Sequence, residues 1–202
     1  MLGLVLLAGL DTPAPRPTAP ARRPVRPGLS WAEADSLSRK LAVIEERHKK
    51  QKAKKSPPVQ VTQGELNSYL NLSYADELPK GVTSVEVRLG SGRIEAKGYV
   101  DVEQVKSSVP ASSSWGALSF LSGQVPIELS GKLVNQDGFG TVELDSAYVA
   151  SIRVPVSVVE QMIASSTKSE KHPDGYDIHA PFRLPYSVNR VRIEPGKATL
   201  EF

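Results

Sequence analysis

The sequence predicts an α+β fold in which a single, strongly curved antiparallel sheet wraps around helices on one of its faces, and an N-terminal extension with one long helix precedes this domain. Segments typical of strands alternate apolar and charged residues with period two, so that each strand has one dry and one wet face. Helical patterns lie between these segments. An antiparallel sheet with one solvated face takes its helices on the other face, and strong twist would curl six or so long strands around them.

A long hairpin predicted over residues 124–154 forms the centre of this fold. The turn is expected within 135–140, where NQDGFG supplies residues that tolerate positive φ. A hairpin is not stable alone, so its apolar face needs further strands and a helix. That apolar face is expected to carry Val125, Ile127, Leu129, Gly131 and Leu133 on the first strand, and Val142, Leu144 and Tyr148 on the second.

Charge is divided unequally along the chain. The first 58 residues carry 12 Lys/Arg and 5 Asp/Glu, a net +7, whereas the remaining 144 carry 13 and 17, a net −4, which sums to the +3 of the whole chain. The basic character therefore belongs to the extension, and no nucleic-acid partner is expected for the domain. The absence of cysteine excludes disulfides, thiol catalysis, Cys-ligated zinc and lipid attachment to an N-terminal Cys.

Residues 1–10 form an apolar, signal-like segment, and residues 11–29 form a Pro-rich linker. The apolar run Leu2–Leu10 is too short to span a bilayer but has the size of a signal-peptide core. It predicts export to the periplasm or the cell envelope; because no Lys or Arg precedes it, a disordered apolar N-terminus is the alternative. Cleavage and retention as an anchor both stay open. Every third or so residue of the linker is proline, which predicts an extended tether.

A basic amphipathic helix is predicted over residues 30–55. Ser30 and Glu33 have the spacing of a capping box at its start. One narrow apolar stripe follows at helical spacing, formed by Ala34, Leu37, Leu41 and Ile44. Its end is rich in lysine, with Lys49, Lys50, Lys52, Lys54 and Lys55. This end is expected either to contact an anionic membrane peripherally or to be a solvated helix terminus with cations near the negative end of the dipole.

The domain is predicted to cover residues 59–202. Thr62 and Glu65 form a second capping box, at the start of a short helix that ends at Leu72. The uncharged segment Ser107–Gly123 is either a partly helical lid beside a hydrophobic ligand or an irregular, packed connection. The other predicted elements are a strand at Val59–Val61, a hairpin around Gly90–Gly92, a helix that starts at Val154-Pro155-Val156, and a final hairpin around Glu194-Pro195-Gly196.

Three patterning motifs resemble a known family. They are E-L-N-x-x-L at Glu65–Leu70, V-P-x-x-x-V from Val154, and L-P-x-x-V-x-x-V-x-I at Leu184–Ile193. With the order of elements over residues 59–202, they are similar to bacterial envelope proteins of the tubular lipid-binding superfamily, nearest to the YceB-like and LmeA-like groups. The resemblance implies a curved sheet around a helix, an apolar groove for phospholipid or another lipid, and no shared catalytic residues or cofactor.

The apolar residues expected to line this groove come from two helices, one hairpin and the uncharged segment. They are Leu66, Tyr69, Leu70, Val87, Leu89, Trp115, Leu118, Phe120, Leu121, Val159, Met162 and Ile163. The partner expected on this interpretation is a lipid or another hydrophobic ligand. The alternative is a scaffold domain that binds a protein partner through the apolar stripe of the N-terminal helix.

Polar chemistry is sparse. His172, Asp174, Asp177 and His179 lie within eight residues and are of types that bind divalent metals, but Pro-Asp-Gly is an ordinary turn sequence, so no metal site is predicted. No G-x-S-x-G sequence is present, and the three histidines are not placed for a catalytic triad. The chain is therefore predicted not to be an enzyme.

Overall fold

The protein is described from a computed structural model, which covers residues 26–50, 56–79, 81–106, 121–166, 175 and 177–202. It is a mixed α+β fold with a large antiparallel sheet and few helices. The helices are α1 (Trp31–Lys49), α2 (Gln63–Ser68, extended by a wider turn Tyr69–Ser73), α3 (Val102–Lys106) and α4 (Val156–Ser166). The strands are β1 (Val59–Thr62), β2 (Val82–Leu89), β3 (Ile94–Asp101), β4 (Gln124–Gln136), β5 (Phe139–Val149), β6 (Ile152–Val154), β7 (Phe182–Arg183), β8 (Arg190–Glu194) and β9 (Lys197–Glu201).

The strands form two sheets, so the prediction of a single sheet was wrong. The larger sheet has the order β2-β3-β4-β5-β6, with β7 also paired to β5, and the smaller has the order β1-β9-β8. The open edge of β2 is bonded to side chains of α2 at the Val87 and Leu89 N–H groups, and the turn of the final hairpin meets this edge at the Leu89 carbonyl, which accepts from the Gly196 N–H. The β9 strand of this hairpin pairs with β1.

The β4–β5 hairpin has the predicted turn but not all of the predicted faces. Asp137 and Gly138 both have positive φ, 52° and 80°, and close a two-residue turn that matches the twist of the strands. Ser130 pairs with Ser146 and Gly131 pairs with Leu144, so Asp145 is an extra residue, a β-bulge. Because the bulge shifts the alternation by one, Tyr148 is 36% exposed on the outer face, and its predicted place on the apolar face was wrong.

A glycine is needed at this bulge. A Cβ atom on Gly131 would lie 2.4 Å from the carbonyl oxygen of Glu143 on the facing strand. Only a residue without a side chain permits the two backbones to approach so closely.

Helix α1 begins beside α2, and this contact changes its cap. The predicted capping box of Ser30 and Glu33 was wrong, since the Ser30 side chain makes no capping hydrogen bond. The Ser30 N–H donates instead to Oγ of Ser68, 3.0 Å away, and the Ser68 hydroxyl donates to Oε2 of Glu33 at 3.0 Å. The box of Thr62 and Glu65 at the start of α2 is confirmed, with both of its hydrogen bonds present.

The core consists of two apolar clusters. The first lies among α1, α2, β1, β2 and β3, and its buried members are Leu37, Leu41, Val61, Tyr69, Leu70, Tyr74, Val85, Val87, Leu89 and Ala96. The second lies between the β4–β5 hairpin and α4, and its buried members are Val102, Val125, Leu129, Ala147, Val149, Val154, Val159, Ile163 and Ile178. The apolar stripe of α1 is thus part of the core, with Ala34 and Ile44 also buried.

Candidate ligand-binding face

The apolar residues predicted to line one groove divide between the two core clusters. Tyr69, Leu70, Val87 and Leu89 are buried in the first, with Leu66 packed against it. Val159 and Ile163 are buried in the second, with Leu121 packed against it. Trp115, Leu118, Phe120 and the side chain of Met162 lie outside the described residues. The described residues of the set are therefore not brought together at one site.

The first cluster is tightly packed. Leu70 is fully buried and Tyr69 is 3% exposed, and the rings of Tyr69 and Tyr74 stack with their centroids 5.8 Å apart. Burial raises the pKa of Tyr69 to about 12, with smaller contributions from Tyr74, Tyr186 and Glu77. This part of the predicted groove is hydrophobic core.

A ladder of side-chain amides attaches α2 to the open edge of β2. Asn67 pairs with Val87 like a neighbouring strand, since its Oδ1 accepts from the Val87 N–H at 2.7 Å and its amide donates to the Val87 carbonyl at 2.9 Å. The Leu89 N–H donates to Oε1 of Gln63 at 2.9 Å. The third amide, that of Asn71, donates to the carbonyl of Val85 at 2.6 Å.

The spacing of this ladder has a simple geometric origin. Successive amides are four residues apart on a helical segment and their partners are two residues apart on a strand. Four residues of helix advance about 6 Å and two residues of strand advance about 6.8 Å, so the two repeats nearly match. The sequence signal was the Gln63, Asn67, Asn71 repeat, which sequence reasoning missed because it looked for apolar periodicity.

The most elaborate polar cluster of the described chain surrounds the buried carboxylate of Glu65. The Ser36 hydroxyl donates to it at 2.6 Å, Lys40 Nζ at 2.7 Å and the Thr62 N–H at 2.9 Å. Burial acts to raise the pKa of Glu65, but the hydrogen bonds from Lys40, Ser36 and Thr62 and the charge of Lys40 outweigh it, so the pKa is lowered. A carboxylate that is ionised and fully hydrogen-bonded is a poor general base. This cluster joins α1 to α2.

The second cluster carries the candidate ligand-binding face, which we define as the inner surface of the β4–β5 hairpin beside α4. Its centre is buried, with Ala147 at 0% and Ile163 at 1% exposure. Around this centre lies a row of apolar side chains that pack on the cluster but stay half-buried: Leu121, Ile127, Val142, Leu144 and Phe182. Sequence reasoning assigned Ile127, Val142 and Leu144 to the apolar face of the hairpin but not to the groove, and Phe182 to neither.

A polar pair lies at one margin of this face, whereas the buried polar and charged side chains of the described residues, Glu65, Ser68 and Thr199, lie on α2 and β9. His179 Nε2 lies 2.7 Å from a carboxylate oxygen of Glu160 on α4, and the His179 N–H donates to Asp177. Among the described residues no group of three or more His, Asp or Glu has the arrangement of a metal site. His172 and Asp174 lie outside the described residues.

The N-terminal helix offers little free surface of the predicted kind. Its apolar stripe is covered by the domain, with Ala34 at 0% and Leu37 at 2% exposure. Lys49 and Lys50 form ion pairs with Glu45 and Glu46 one helical turn earlier. The remaining lysines, Lys52, Lys54 and Lys55, lie outside the described residues.

Comparison of the chain with protein-family models, with curated proteins and with solved structures gave no match. The likeness to tubular lipid-binding proteins thus stays a prediction from the sequence motifs. Within the described residues, no helix combines the length and hydropathy of a membrane span.

Proposed function

We propose that this protein binds or shuttles a lipid or another hydrophobic ligand on the candidate ligand-binding face and carries out no chemical reaction. The observation that carries the proposal is the row of half-buried apolar side chains around a buried centre, namely Val142 and Leu144 on β5, Ile127 on β4 and Phe182 on β7. Such a surface gains free energy whenever a ligand removes it from water.

Hydrophobic burial supplies enough free energy for affinity without a polar site. Each CH₂ group taken out of water contributes about 0.8 kcal/mol, so a sixteen-carbon chain would contribute on the order of 12 kcal/mol at most. This accords with the absence of a buried polar or charged side chain from the β4–β5 hairpin and α4 among the described residues, and it explains why the sequence needs no conspicuous binding motif.

The finer structural form of the proposal is a sheet that curves around α4, so that the β4–β5 hairpin and the helix become two walls of one groove. The motifs at Glu65–Leu70, Val154 and Leu184–Ile193 support it, because they resemble those of envelope proteins with such a groove. The signal-like run Leu2–Leu10 supports export, so we place the protein in the periplasm or at the cell envelope.

Uptake of a soluble fluorescent fatty acid by the full chain, without detergent or membranes, tests the proposal. We expect Leu144→Gln to weaken uptake about tenfold, because a buried amide without a partner replaces apolar contact with the ligand. Tyr148→Ser is the matched control, since Tyr148 lies on the other face of the same strand and is 36% exposed. Thermal melting of both variants normalises the signal to the folded fraction.

Mass spectrometry of the protein, native and then after organic extraction, identifies the cargo. A stoichiometric lipid after gentle purification from a bacterial envelope is the expected result. Two results together would contradict the proposal. The purified wild-type protein would contain no lipid, and the Leu144→Gln and Tyr148→Ser variants would take up the fatty acid as well as the wild type does. A protein partner captured through the stripe of α1 would first have to displace α1 from the core, since Leu37 and Leu41 belong to the first cluster.

A further inference from the structure

A short segment, residues 177–181, connects β5 to α4 beside the candidate ligand-binding face. The carbonyl of Ile178 accepts from the Val142 N–H on β5. The next residue, His179, has its Nε2 atom 2.7 Å from a carboxylate oxygen of Glu160 on α4. The Ile178 side chain is 2% exposed and belongs to the second cluster. Two consecutive residues thus reach the strand on one side and the helix on the other, and we call residues 177–181 the clasp.

Both outer contacts of the clasp are weak. The Val142 N–H lies with its nitrogen 3.4 Å from the Ile178 oxygen, beyond the usual range of about 2.7–3.2 Å. Regular pairing with β5 begins only at Phe182, which lies opposite Gly140. The His179 side chain is 60% exposed, so water can replace Glu160 as its partner at little cost. Segments with exposed residues and few strong backbone hydrogen bonds are the ones that open locally.

The clasp has a turn structure of its own. Oδ1 of Asp177 accepts from the His179 N–H at 2.9 Å, and the Asp177 carbonyl accepts from the Ala180 N–H at 3.2 Å. These two bonds do not involve β5 or α4, so they can persist when the outer contacts break. Opening of the clasp would therefore move Ile178 out of the second cluster as part of one unit.

We propose that the clasp is the gate of the candidate ligand-binding face and opens at its α4 end to admit the ligand. This proposal rests on the proposed function, since it concerns entry to the same face. The observation that carries it is the juxtaposition of one buried apolar side chain, Ile178, with a long bond to β5 and an exposed side-chain pair to α4. When Ile178 leaves, Val142 and Phe182 of the half-buried row are uncovered at the clasp side, and an apolar ligand can take its place.

Thiol labelling measures the opening without any ligand. The chain has no cysteine, so Ile178→Cys places a single thiol at the buried position of the clasp. We expect Glu160→Ala to speed the reaction of this thiol about fivefold, because the α4 end of the clasp loses its partner. Ser157→Ala, at an exposed position on the preceding turn of α4, is the matched control and should leave the rate unchanged.

A second thiol separates local opening from global unfolding. Val85 is 3% exposed in the first cluster, so a thiol introduced by Val85→Cys should react at the same rate with and without Glu160→Ala. Equal labelling rates at position 178 with and without Glu160→Ala would overturn the proposal. Faster labelling at both positions would do so as well, since the substitution would then have destabilised the whole fold.

Stopped-flow uptake of the fluorescent fatty acid connects opening to ligand entry. We expect Glu160→Ala to raise the rate constants of uptake and release together by about fivefold, with little change in affinity, because the face itself is unaltered. A cleavable thiol cross-link between Glu160→Cys and His179→Cys, both at partly exposed positions, should slow uptake at least tenfold until the linker is reduced. This test does not depend on the folding of Ile178→Cys.

Uptake that is as fast with the cross-link as without it would overturn the gate. If the wild type takes up no fatty acid at all, the proposed function fails and the gating role fails with it. Faster labelling at position 178 in Glu160→Ala would still establish that the clasp opens, so the two failures are distinguished.

Discussion

At the scale of single residues, Glu65 has two functions that local sequence and tertiary contacts supply separately. Its reach back to the Thr62 N–H is the local capping box. Its contacts with Ser36 and Lys40 are made across the interface between α1 and α2. Because Glu65 is 7% exposed and its carboxylate accepts from Ser36, Lys40 and Thr62, the loss of its charge would weaken these hydrogen bonds.

We expect Glu65→Gln to lower the free energy of unfolding by about 1–3 kcal/mol at neutral pH, because charged hydrogen bonds are replaced by weaker or missing ones. The folded-state pKa lies below the ordinary value of 4.5. The stabilisation is therefore present above about pH 4.5 and is lost as the pH falls through the folded-state pKa. Urea unfolding at neutral and acidic pH measures this difference.

The matched control is Glu46→Gln, since Glu46 is an exposed carboxylate whose pKa is lowered chiefly by a hydrogen bond from Lys50 and by its charge. Exposed ion pairs contribute little, so the control should unfold nearly like the wild type at every pH. Equal effects of the two substitutions would show that the buried cluster makes no special contribution.

At the scale of elements, the amide ladder explains how a mixed fold protects a sheet edge. An unpaired edge is a template for association with other chains. Here α2 covers the edge of β2, and Gln63, Asn67 and Asn71 take the place of a neighbouring strand. The final hairpin meets this edge at its turn, where the Gly196 N–H donates to the Leu89 carbonyl, and its β9 strand pairs with β1.

We expect Asn67→Ala to destabilise the protein by about 2–3 kcal/mol, because the N–H and the carbonyl of Val87 both lose their partner. The same change exposes the β2 edge, so aggregation during thermal melting should increase. Chemical denaturation and light scattering measure the two effects. Gln136→Ala is the control, since Gln136 is an exposed amide on a strand. Unchanged stability of Asn67→Ala would show that water replaces the amide without cost.

At the scale of the whole molecule, α1 completes the first core cluster. Leu37 and Leu41 pack there with Leu70 and Val87. The polar contacts of Ser30, Glu33, Ser36 and Lys40 fix the same helix along α2 and β1. Helix α1 and the strands of the first cluster thus bury their apolar side chains against each other. The sequence, by contrast, predicts this helix as an extension that precedes the domain.

We expect Leu37→Ala to lower the free energy of unfolding by about 2–5 kcal/mol, the usual effect of a cavity at a buried leucine. Val43→Ala on the same helix should change it by less than about 0.5 kcal/mol, since Val43 is 43% exposed. Denaturation followed by the circular dichroism of the strands measures both. If α1 were an independent extension, the unfolding of the strands would be the same in the two variants.

Features that depend only on neighbouring residues could be predicted from the sequence. The Asp137-Gly138 turn, the capping box of Thr62 and Glu65 and the alternation along β2 and β3 follow from φ preferences, hydrogen-bond reach and the period of a strand. Three of the five half-buried residues of the candidate face followed as well, because Ile127, Val142 and Leu144 lie on the apolar side of the predicted hairpin.

Features that depend on which surfaces meet were decided only by the tertiary structure. The extra residue Asp145 shifts the alternation of β5, so Tyr148 lies on the outer face. The period-two pattern of the residues before Asp145 does not predict this bulge. Because α1 contacts α2, the Ser30 N–H donates to the Ser68 hydroxyl and not to a capping group within α1. Apolar periodicity determines that a face is buried but not what covers it, because hydrophobic burial has no direction.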